Sequence, residues 1–485
     1  MTEDQESAVL EMLEAYENGK RIADLDDAEG SLSDMTIEVT DETGETHKMG
    51  LSEAVETASN PIAGRYWNED NATPTAAGYY GSLQALKALP TKLGLGRYLV
   101  TDDLTRRKLD PTDSTKYEDG SDAALDGSEG QCMWCWNAHY FTTWKEGSNT
   151  IMAVTFSPID GKNSIYVPEG GISWFGAGVV DRTNLLLCSL ISEDEQYRGG
   201  ANAELSTDTY TNVLEGSAQQ TMLGMPATLL STTTFGTYAR NRGEGWEANW
   251  FVARAVVEYL IEIIMGTRNV QADYVGELDD DGLYQGGFGS GVTGFGSYWG
   301  GYNGTYPLLP TSVGLEAGDD VCLVDYDLPD ADGEAYQTLS VPVFFGLVGA
   351  GFGHLGQWVR GVIVNYDDEG KVYVTGSMYE DYDPDSVDDK IAVSTCPSSS
   401  GWIVTKSYEG LCCTPTALGG SQSTYFSDYL WAVSSGLRVR RAGGCAGSGP
   451  DAGGSASYML NTASFTNAGI SSPLCYFAED PTIEA

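Results

Sequence analysis

Two cysteines and a histidine are spaced closely enough to suggest metal or redox chemistry. Cys132 and Cys135 are separated by two residues, and His139 follows them. A structural zinc site needs four such ligands, usually as two separated pairs, and no second pair follows. Met133 and Trp134 fill the gap, which is typical of a half-buried strand. We therefore predict buried thiols here and no metal.

Three aspartates alternate in a second acidic segment. Asp381, Asp383 and Asp385 match the opening of a calcium-binding loop, whose first, third and fifth residues supply carboxylates. The glycine at the sixth position and the glutamate at the twelfth are both missing. We predict a solvated acidic turn without a cofactor, and a bound calcium ion is the alternative.

The remaining reactive residues do not predict an enzyme. The chain has three histidines, His47, His139 and His354, and its sequence contains no HExxH, GxSxG or P-loop motif. Aspartate and glutamate are abundant, but no spacing selects a pair for acid–base catalysis. We therefore predict no catalytic residues.

The charge balance argues against several classes of partner. The chain has 485 residues, of which 70 are acidic and 26 basic, and its formal net charge is -44. Without a basic excess we expect no binding to nucleic acid through phosphates and no docking on anionic lipid. Residues 1–20 are acidic and lack an apolar run, so we expect no signal peptide, no membrane insertion and synthesis in a cytoplasm. The nine scattered cysteines do not suggest a disulfide framework.

Helix and strand patterns both occur along the chain. Residues 2–19 carry a capping box and an apolar stripe, which predict a short helix that packs on another surface. Residues 248–265 predict a helix that is apolar on most sides, with a polar seam of Arg254, Glu258 and Glu262. Residues 192–245 are polar and predict loops. Alternation predicts strands at 36–40, 132–143, 151–156, 164–167, 340–347, 357–365, 371–378, 401–407, 437–440 and 474–477.

The most informative stretch runs from Gly419 to Phe477 and contains neither Lys nor Glu. Small and polar residues alternate there with an apolar frame, which consists of Phe426, Leu430, Trp431, Leu437, Val439, Ile470, Leu474 and Phe477. A frame that keeps its shape while the residues between its members vary is typical of a display surface.

This stretch resembles the variable proteins of diversity-generating retroelements, the family of the major-tropism-determinant-like phage proteins. The similarity rests on residues 437–454 (LRVRRAGGCAGSGPDAGG) and on the closing segment 470–477 (ISSPLCYF). In that family, adenines of AAY codons are rewritten, and the resulting codons cannot encode Lys or Glu. Residues 240–246 and the helix that follows are similar to a conserved part of such phage tail proteins. Residues 19–49 are similar to modules that begin tail fibre proteins.

The resemblance implies an α+β protein with a C-type lectin-like C-terminal domain, made of irregular β-sheets with flanking helices. It implies an N-terminal oligomerisation and virion-attachment module at 1–60 and a connecting β-rich segment at 61–130. The lectin-like domain would span 131–485, with the variable region at 419–477. The sequence contains neither of the calcium–sugar signatures Glu-Pro-Asn and Gln-Pro-Asp, so the fold does not imply calcium-dependent sugar binding.

The resemblance also implies which side chains would meet a receptor. These lie between frame residues, and Tyr and Ser among them are typical of adaptable binding surfaces. Arg438, Arg440 and Arg441 are interpreted instead as frame residues or anchors. The receptor-binding candidates are Ser421, Ser423, Tyr425, Ser427, Asp428, Tyr429, Ser434, Ser435, Cys445, Gly447, Ser448, Asp451, Ser455, Ser457 and Tyr458.

The implied function is that of a phage tail receptor-binding protein, a tropism determinant that binds a host surface protein or glycan. Such a protein would lie in the tail fibre or tail tip of the virion, contact a tail or baseplate protein and form a homotrimer. Two alternatives stay open. One is an enzyme on the formylglycine-generating scaffold, for which Cys445 and Cys475 are present but lie in no matching motif. The other is a bacterial surface binding protein.

Overall fold

The computed structural model describes residues 36–40, 46–50, 61–200, 209–211, 219–295, 307–329 and 335–483. The chain divides into two units, Met1–Ile62 and Ala63–Ala485. In the first unit, β1 (Thr36–Thr40) and β2 (Thr46–Gly50) form an antiparallel pair. This pair confirms the strand predicted at 36–40. The helix predicted at 2–19 lies outside the described residues.

Three α-helices occur in the described part of the second unit, α1 (Leu83–Lys92), α2 (Thr232–Arg240) and α3 (Phe251–Met265). Helix α3 confirms the helix predicted at 248–265, and it ends before Gly266, whose φ of 61° favours glycine. Helix α2 lies within the stretch predicted to be loops, so that prediction is wrong there. Within the described ranges, no helix combines the length and apolar character needed to cross a membrane.

The largest sheet of the described chain has nine strands. Its order is β23 (Ile391–Thr395), β22 (Lys371–Val374), β21 (Gly356–Asn365), β27 (Leu437–Gly443), β28 (Gly453–Met459), β26 (Tyr429–Ala432), β24 (Gly401–Ser407) and β25 (Thr414–Leu418), while β29 (Ile470–Ser471) pairs with β21. The two end strands approach each other, since Ser394 Oγ of β23 lies 3.1 Å from Thr414 Oγ1 of β25. The sheet therefore curls into a nearly closed barrel.

Two further sheets complete the enclosure of the core. The five-stranded sheet has the order β11 (Ser164–Val167), β9 (His139–Glu146), β10 (Asn149–Thr155), β3 (Ala63–Asn68) and β4 (Gly78–Gly81). The seven-stranded sheet has the order β17 (Trp246–Ala248), β30 (Leu474–Phe477), β12 (Gly170–Ser173), β8 (Gln131–Trp136), β5 (Gly96–Val100), β6 (Arg106–Asp110) and β7 (Asp113–Tyr117). Because β5 pairs with β8, residues on both sides of position 130 belong to one sheet.

The remaining strands form three small sheets. These are β13 (Val179–Asp181) with β14 (Leu186–Cys188), β15 (Thr209–Thr211) with β16 (Gln219–Thr221), and β18 (Cys322–Pro329) with β19 (Ala335–Phe344) and β20 (Leu347–Val348). The strands predicted at 164–167, 401–407 and 474–477 agree with β11, β24 and β30 at both ends.

Helix α3 lies at the centre of the second unit, and all fifteen of its residues are buried. On one side the ring of Tyr259 stacks on Phe141 of β9, with ring centres 4.2 Å apart. At its start, the backbone N–H of Trp250 donates to the Sγ of Cys475 in β30. A helix that is apolar on most of its surface is stable only where other elements cover it on most sides. The three large sheets supply that cover.

The predicted α+β class with a C-type lectin-like domain and flanking helices is wrong. The described chain is mostly β, with several sheets and a nearly closed barrel-like sheet. The physical reason lies in α3, whose apolar residues place it inside the sheets rather than beside them.

Candidate functional site

Four aromatic side chains form a continuous row across three adjacent strands of the nine-stranded sheet. The ring of Trp402 meets Tyr429 edge-on, with ring centres 5.4 Å apart. Tyr429 lies 4.8 Å from Trp431, and Trp431 stacks flat on Tyr458 at 3.8 Å. We call these four residues the aromatic row. All except Tyr458 are half-buried, so the row is partly open to solvent.

Strand pairing brings the four rings together. Trp402 of β24 lies opposite Tyr429 of β26, and Trp431 of β26 lies opposite Tyr458 of β28. Side chains alternate between the two faces of a strand. Leu430, between the two aromatic residues of β26, is accordingly fully buried on the inner face. The row therefore belongs to the outer face of the barrel wall.

Arg441 of β27 ends the row. It lies opposite Tyr458 in the antiparallel pairing, and its guanidinium carbon is 3.6 Å from the centre of the Tyr458 ring. The hydroxyls of Tyr458 and Ser448 are 2.7 Å apart, which fixes the far end of that ring. Burial lowers the pKa of Arg441 and raises the pKa of Tyr458 to about 12. At neutral pH the row therefore ends in a cation stacked on a neutral phenol.

The inner face of the same strands carries an ionic seam against α3. Glu258 of α3 accepts hydrogen bonds from Arg254 at 2.8 Å, Lys406 at 2.9 Å and Arg440 at 2.6 Å. Lys406 also donates to Glu262 at 2.7 Å. All three α3 residues of the predicted polar seam therefore meet partners in the core, and we call this group the buried ionic seam.

The seam fixes the charge of its central carboxylate. Burial by itself would raise the pKa of Glu258, but Arg440, Lys406 and Arg254 together lower it to about 2. Burial would also lower the pKa of Lys406, yet Glu262, Tyr408 and Glu258 hold it well above its ordinary value. Both groups are therefore charged at neutral pH, and each depends on the other side of the seam for its stability.

Asp428 is the buried carboxyl without a charged partner in this region. It is fully buried, its Oδ2 accepts a hydrogen bond from the backbone N–H of Ser455 at 2.7 Å, and its Oδ1 has no partner among the described residues. Burial raises its pKa well above the ordinary value. The carboxyl also packs against Gly453, where any side chain would collide with it. Asp428 is therefore a structural residue of the barrel wall.

The structure separates the fifteen receptor-binding candidates into three groups. Ser423, Ser434, Ser435 and Gly447 are exposed. Half-buried are Ser421, Tyr425, Tyr429, Cys445, Ser448 and Asp451. Buried are Ser427, Asp428, Ser455, Ser457 and Tyr458.

The five buried candidates expose little surface in this structure, and their part in binding a receptor stays a prediction. Ser455 accepts a hydrogen bond from Lys406, and Ser457 from Arg440, which places both on the inner face with the buried ionic seam. Tyr458 is covered by Trp431 and Arg441.

Two residues of the row, Trp402 and Trp431, were not among the candidates, and neither was Arg441 at its end. Trp431 was assigned to the apolar frame. Trp402 lies in a correctly predicted strand, and its alternation with the buried Ile403 was a sequence signal that could have placed it on the outer face. Arg441 was grouped with Arg438 and Arg440 as an anchor, although alternation along a strand places the consecutive residues Arg440 and Arg441 on opposite faces. Only Arg440 of these reaches the buried ionic seam.

The metal candidates are not brought together. Cys132 and Cys135 are buried free thiols, and burial raises the pKa of Cys135 to about 12. The ring of His139 bonds the hydroxyl of Tyr259, and burial lowers its pKa to about 4.

The three aspartates are exposed, and their contacts are local. Asp381 lies 3.6 Å from Arg240, and Asp383 accepts the backbone N–H of Asp385. Among the described residues no group of three potential metal ligands occurs. The calcium alternative stays untested.

A separate groove of about 580 Å³ lies elsewhere on the second unit. It runs between the edge strands β11 and β23, and its lining includes Tyr166, Val393 and Glu409. None of the fifteen candidates lines it.

No protein-family model matches the chain, and no curated protein matches its sequence.

Proposed function

We propose that this protein is a receptor-binding protein that recognises a host surface molecule through the aromatic row and the loops on either side of it. The sequence resemblance of residues 419–477 supplies the biological setting, a phage tail protein whose surface is varied by a retroelement. The proposal does not depend on the lectin-like fold, because it rests on a surface formed by β24, β26, β27 and β28.

The aromatic row is the observation that carries the proposal. Binding energy at protein interfaces is concentrated in a few residues, and Trp, Tyr and Arg are enriched among them. Trp402, Tyr429, Trp431 and Arg441 are these types, and all of them are half-buried on the outer face. The three rings pack against one another, so their side chains lose little conformational entropy when a partner binds.

The buried ionic seam explains how this surface can vary without unfolding the protein. Lys406 and Arg440 hold β24 and β27 to α3 from the inside. Residues on the outer face and in the flanking loops take no part in these contacts. Ser434 and Ser435 lie in the loop that leads into β27, and Gly447 lies in the loop that follows it; all three are exposed. We propose that diversification acts on such positions.

A host-range assay tests the proposal. Labelled full-length protein would be measured for binding to a panel of bacterial strains. A variant in which Ser434, Ser435 and Gly447 are replaced together should bind a different subset of strains, because the loops beside the row change shape and polarity. A control variant with two exposed residues of the five-stranded sheet region replaced, Ser148 and Asn163, should bind the original strains. An unchanged strain range in the first variant would contradict the proposal.

A further inference from the structure

Arg441 is one of several arginines of this acidic protein that have no carboxylate partner among the described residues. The chain has 70 acidic and 26 basic residues. Arg254 and Arg440 hold Glu258, and Arg360 holds Glu247. The buried Arg65 and Arg97 donate instead to backbone carbonyls.

Among the described residues, no carboxylate lies within 4.0 Å of the Arg441 guanidinium, whereas its neighbour Arg440 pairs with Glu258. The Nε of Arg441 has no hydrogen-bond partner. The half-buried Arg438 also lacks a carboxylate and has an Nε without a partner, but it donates to the carbonyl of Leu437. Arg441 differs in that its guanidinium stacks on the aromatic row.

The surroundings of Arg441 hold its guanidinium in one place. Its aliphatic stem crosses the backbone of Gly356, where an added Cβ would come within 2.8 Å of its Cδ. Its guanidinium stacks on Tyr458, and the opposite face of that ring is covered by Trp431. A planar guanidinium that is already immobilised loses less entropy when it forms two parallel hydrogen bonds to a carboxylate.

We propose that Arg441 binds a carboxylate of the receptor, and that this carboxylate is an Asp or Glu side chain of a host surface protein. The inference rests on the proposed function, because it names the chemistry that the end of the aromatic row recognises. The partner carboxylate would bind the terminal nitrogens of the guanidinium, because Nε is shielded from solvent, and the Tyr and Trp rings would exclude water from the pair.

The packing of the rings favours a protein over a glycan. Sugars bind aromatic side chains mainly by lying flat on an open ring face. Tyr458 lies between Trp431 and Arg441, and Trp431 is in turn in contact with Tyr429 at 4.8 Å. The row therefore presents ring edges and half-exposed side chains rather than open faces. Edges of this kind suit the side chains and backbone of a protein surface.

The test compares two arginines of the same strand. Arg441→Gln removes the proposed carboxylate ligand, and Arg438→Gln removes an equal charge three residues earlier on β27, where Arg438 forms no ion pair among the described residues. Binding of the full chain to host cells should fall about thirtyfold or more for Arg441→Gln, as for a lost charge pair at an interface. It should stay within about twofold of the wild type for Arg438→Gln. Arg441→Lys should keep only part of the wild-type affinity, since an ammonium cannot form two parallel hydrogen bonds to a carboxylate.

Treated cells identify the source of the carboxylate. Amidation of surface carboxylates with a carbodiimide and an amine should abolish binding of the wild-type protein. Protease treatment of the cells should also abolish it, while periodate, which destroys sugar rings, should not. Binding that survives protease and disappears after periodate would overturn the proposal in favour of an acidic glycan.

Two variants distinguish a failure of the carboxylate contact at Arg441 from a failure of the receptor surface as a whole. One outcome is that Arg441→Gln, shown by its melting curve to be folded, binds as well as the wild type while Trp431→Ala does not bind. In that case Arg441 does not bind a receptor carboxylate, but the proposed receptor surface is retained. If neither variant loses binding, the receptor surface itself is wrong.

Discussion

Arg440 and Arg441 are consecutive residues of β27 whose side chains lie on opposite faces of the barrel wall. Arg440 is fully buried and donates to Glu258 of α3 at 2.6 Å. Arg441 stacks on Tyr458 at the end of the aromatic row. One strand thus connects the core of the protein to the surface proposed to bind a receptor. The first side chain contributes to stability, and the second is free to contribute to recognition.

Glu258 should be essential for stability at neutral pH. Glu258→Gln leaves Arg254, Lys406 and Arg440 with one carboxylate fewer in the core, which we expect to lower the free energy of unfolding by about 3–5 kcal/mol. Denaturant unfolding at pH 7 measures it. Asp122→Asn, which removes an exposed partner of Lys116, should leave the free energy of unfolding unchanged within error. Equal effects of the two substitutions would contradict the role of the seam.

The contribution of Glu258 should also depend on pH. Its pKa in the folded protein is about 2, below the ordinary value of 4.5, so its carboxylate stabilises the folded state fully above about pH 4.5. This contribution disappears as the pH falls from 4.5 towards 2, because the carboxyl then becomes protonated in the folded state as well. The difference between the wild type and Glu258→Gln should therefore be smaller at pH 3 than at pH 7. A larger difference in the free energy of unfolding at pH 3 than at pH 7 would contradict the lowered pKa of Glu258.

Serines of the two faces should respond differently to the same substitution. Ser434→Leu adds a side chain to an exposed loop, and we expect a change of about 0.5 kcal/mol or less. Ser457→Leu inserts methylene groups at a fully buried position and removes the oxygen near Arg440, so it should cost about 1–3 kcal/mol or more. Thermal melting of both variants gives the comparison. Similar losses would show that position 457 does not lie in the core.

Two members of the predicted apolar frame should also differ. Phe477 is fully buried, and Phe477→Ala should cost about 3–5 kcal/mol. Trp431 is half-buried and packs mainly on Tyr458, so Trp431→Ala should cost about 1–2 kcal/mol, as expected for lost ring pairs. Denaturant unfolding measures both values. A cost of Trp431→Ala equal to that of Phe477→Ala would place this ring in the core and remove it from the receptor surface.

Self-association stays a prediction from the sequence. The apolar stripe of residues 2–19 needs a partner surface, and a trimer would supply it while adding multivalency to weak receptor contacts. Light scattering of the full chain at micromolar concentration should give three times the mass of 52.0 kDa. The mass of a single chain would rule the trimer out.

Local patterns in the sequence were sufficient where one physical signal dominated. Alternation located β24 and β30, and an apolar surface with a seam of Arg254, Glu258 and Glu262 located α3. Helix α2 was missed because it begins with the polar residues Thr232, Thr233 and Thr234, and because Phe235 is the only large apolar residue on its buried side. The fold class failed because it was taken from the family resemblance, whereas the apolar surface of α3, buried on all sides, places this helix inside the sheets.

The site was harder to predict because small residues do not reveal which face they occupy. Ser455 and Ser457 alternate with Gly454 and Ala456 on β28, so neither alternation nor hydrophobicity separates the inner from the outer face. Asp428 looks like a surface carboxylate in the sequence, yet its Oδ2 accepts a backbone N–H of the neighbouring strand β28 inside the barrel wall. Pairing partners of this kind are distant in the chain and become visible only in the structure.

The most direct test of the account is the affinity of Trp431→Ala for host cells. Trp431 is the centre of the aromatic row, and a residue of this type at the centre of an interface contributes about 2 kcal/mol or more to binding, so affinity should fall about thirtyfold or more. Trp144→Ala serves as the matched control, since Trp144 is a half-buried tryptophan in contact with Tyr80 on the five-stranded sheet. The account predicts that Trp144→Ala binds cells like the wild type while Trp431→Ala, folded at the assay temperature, does not. Full binding by a folded Trp431→Ala would contradict it.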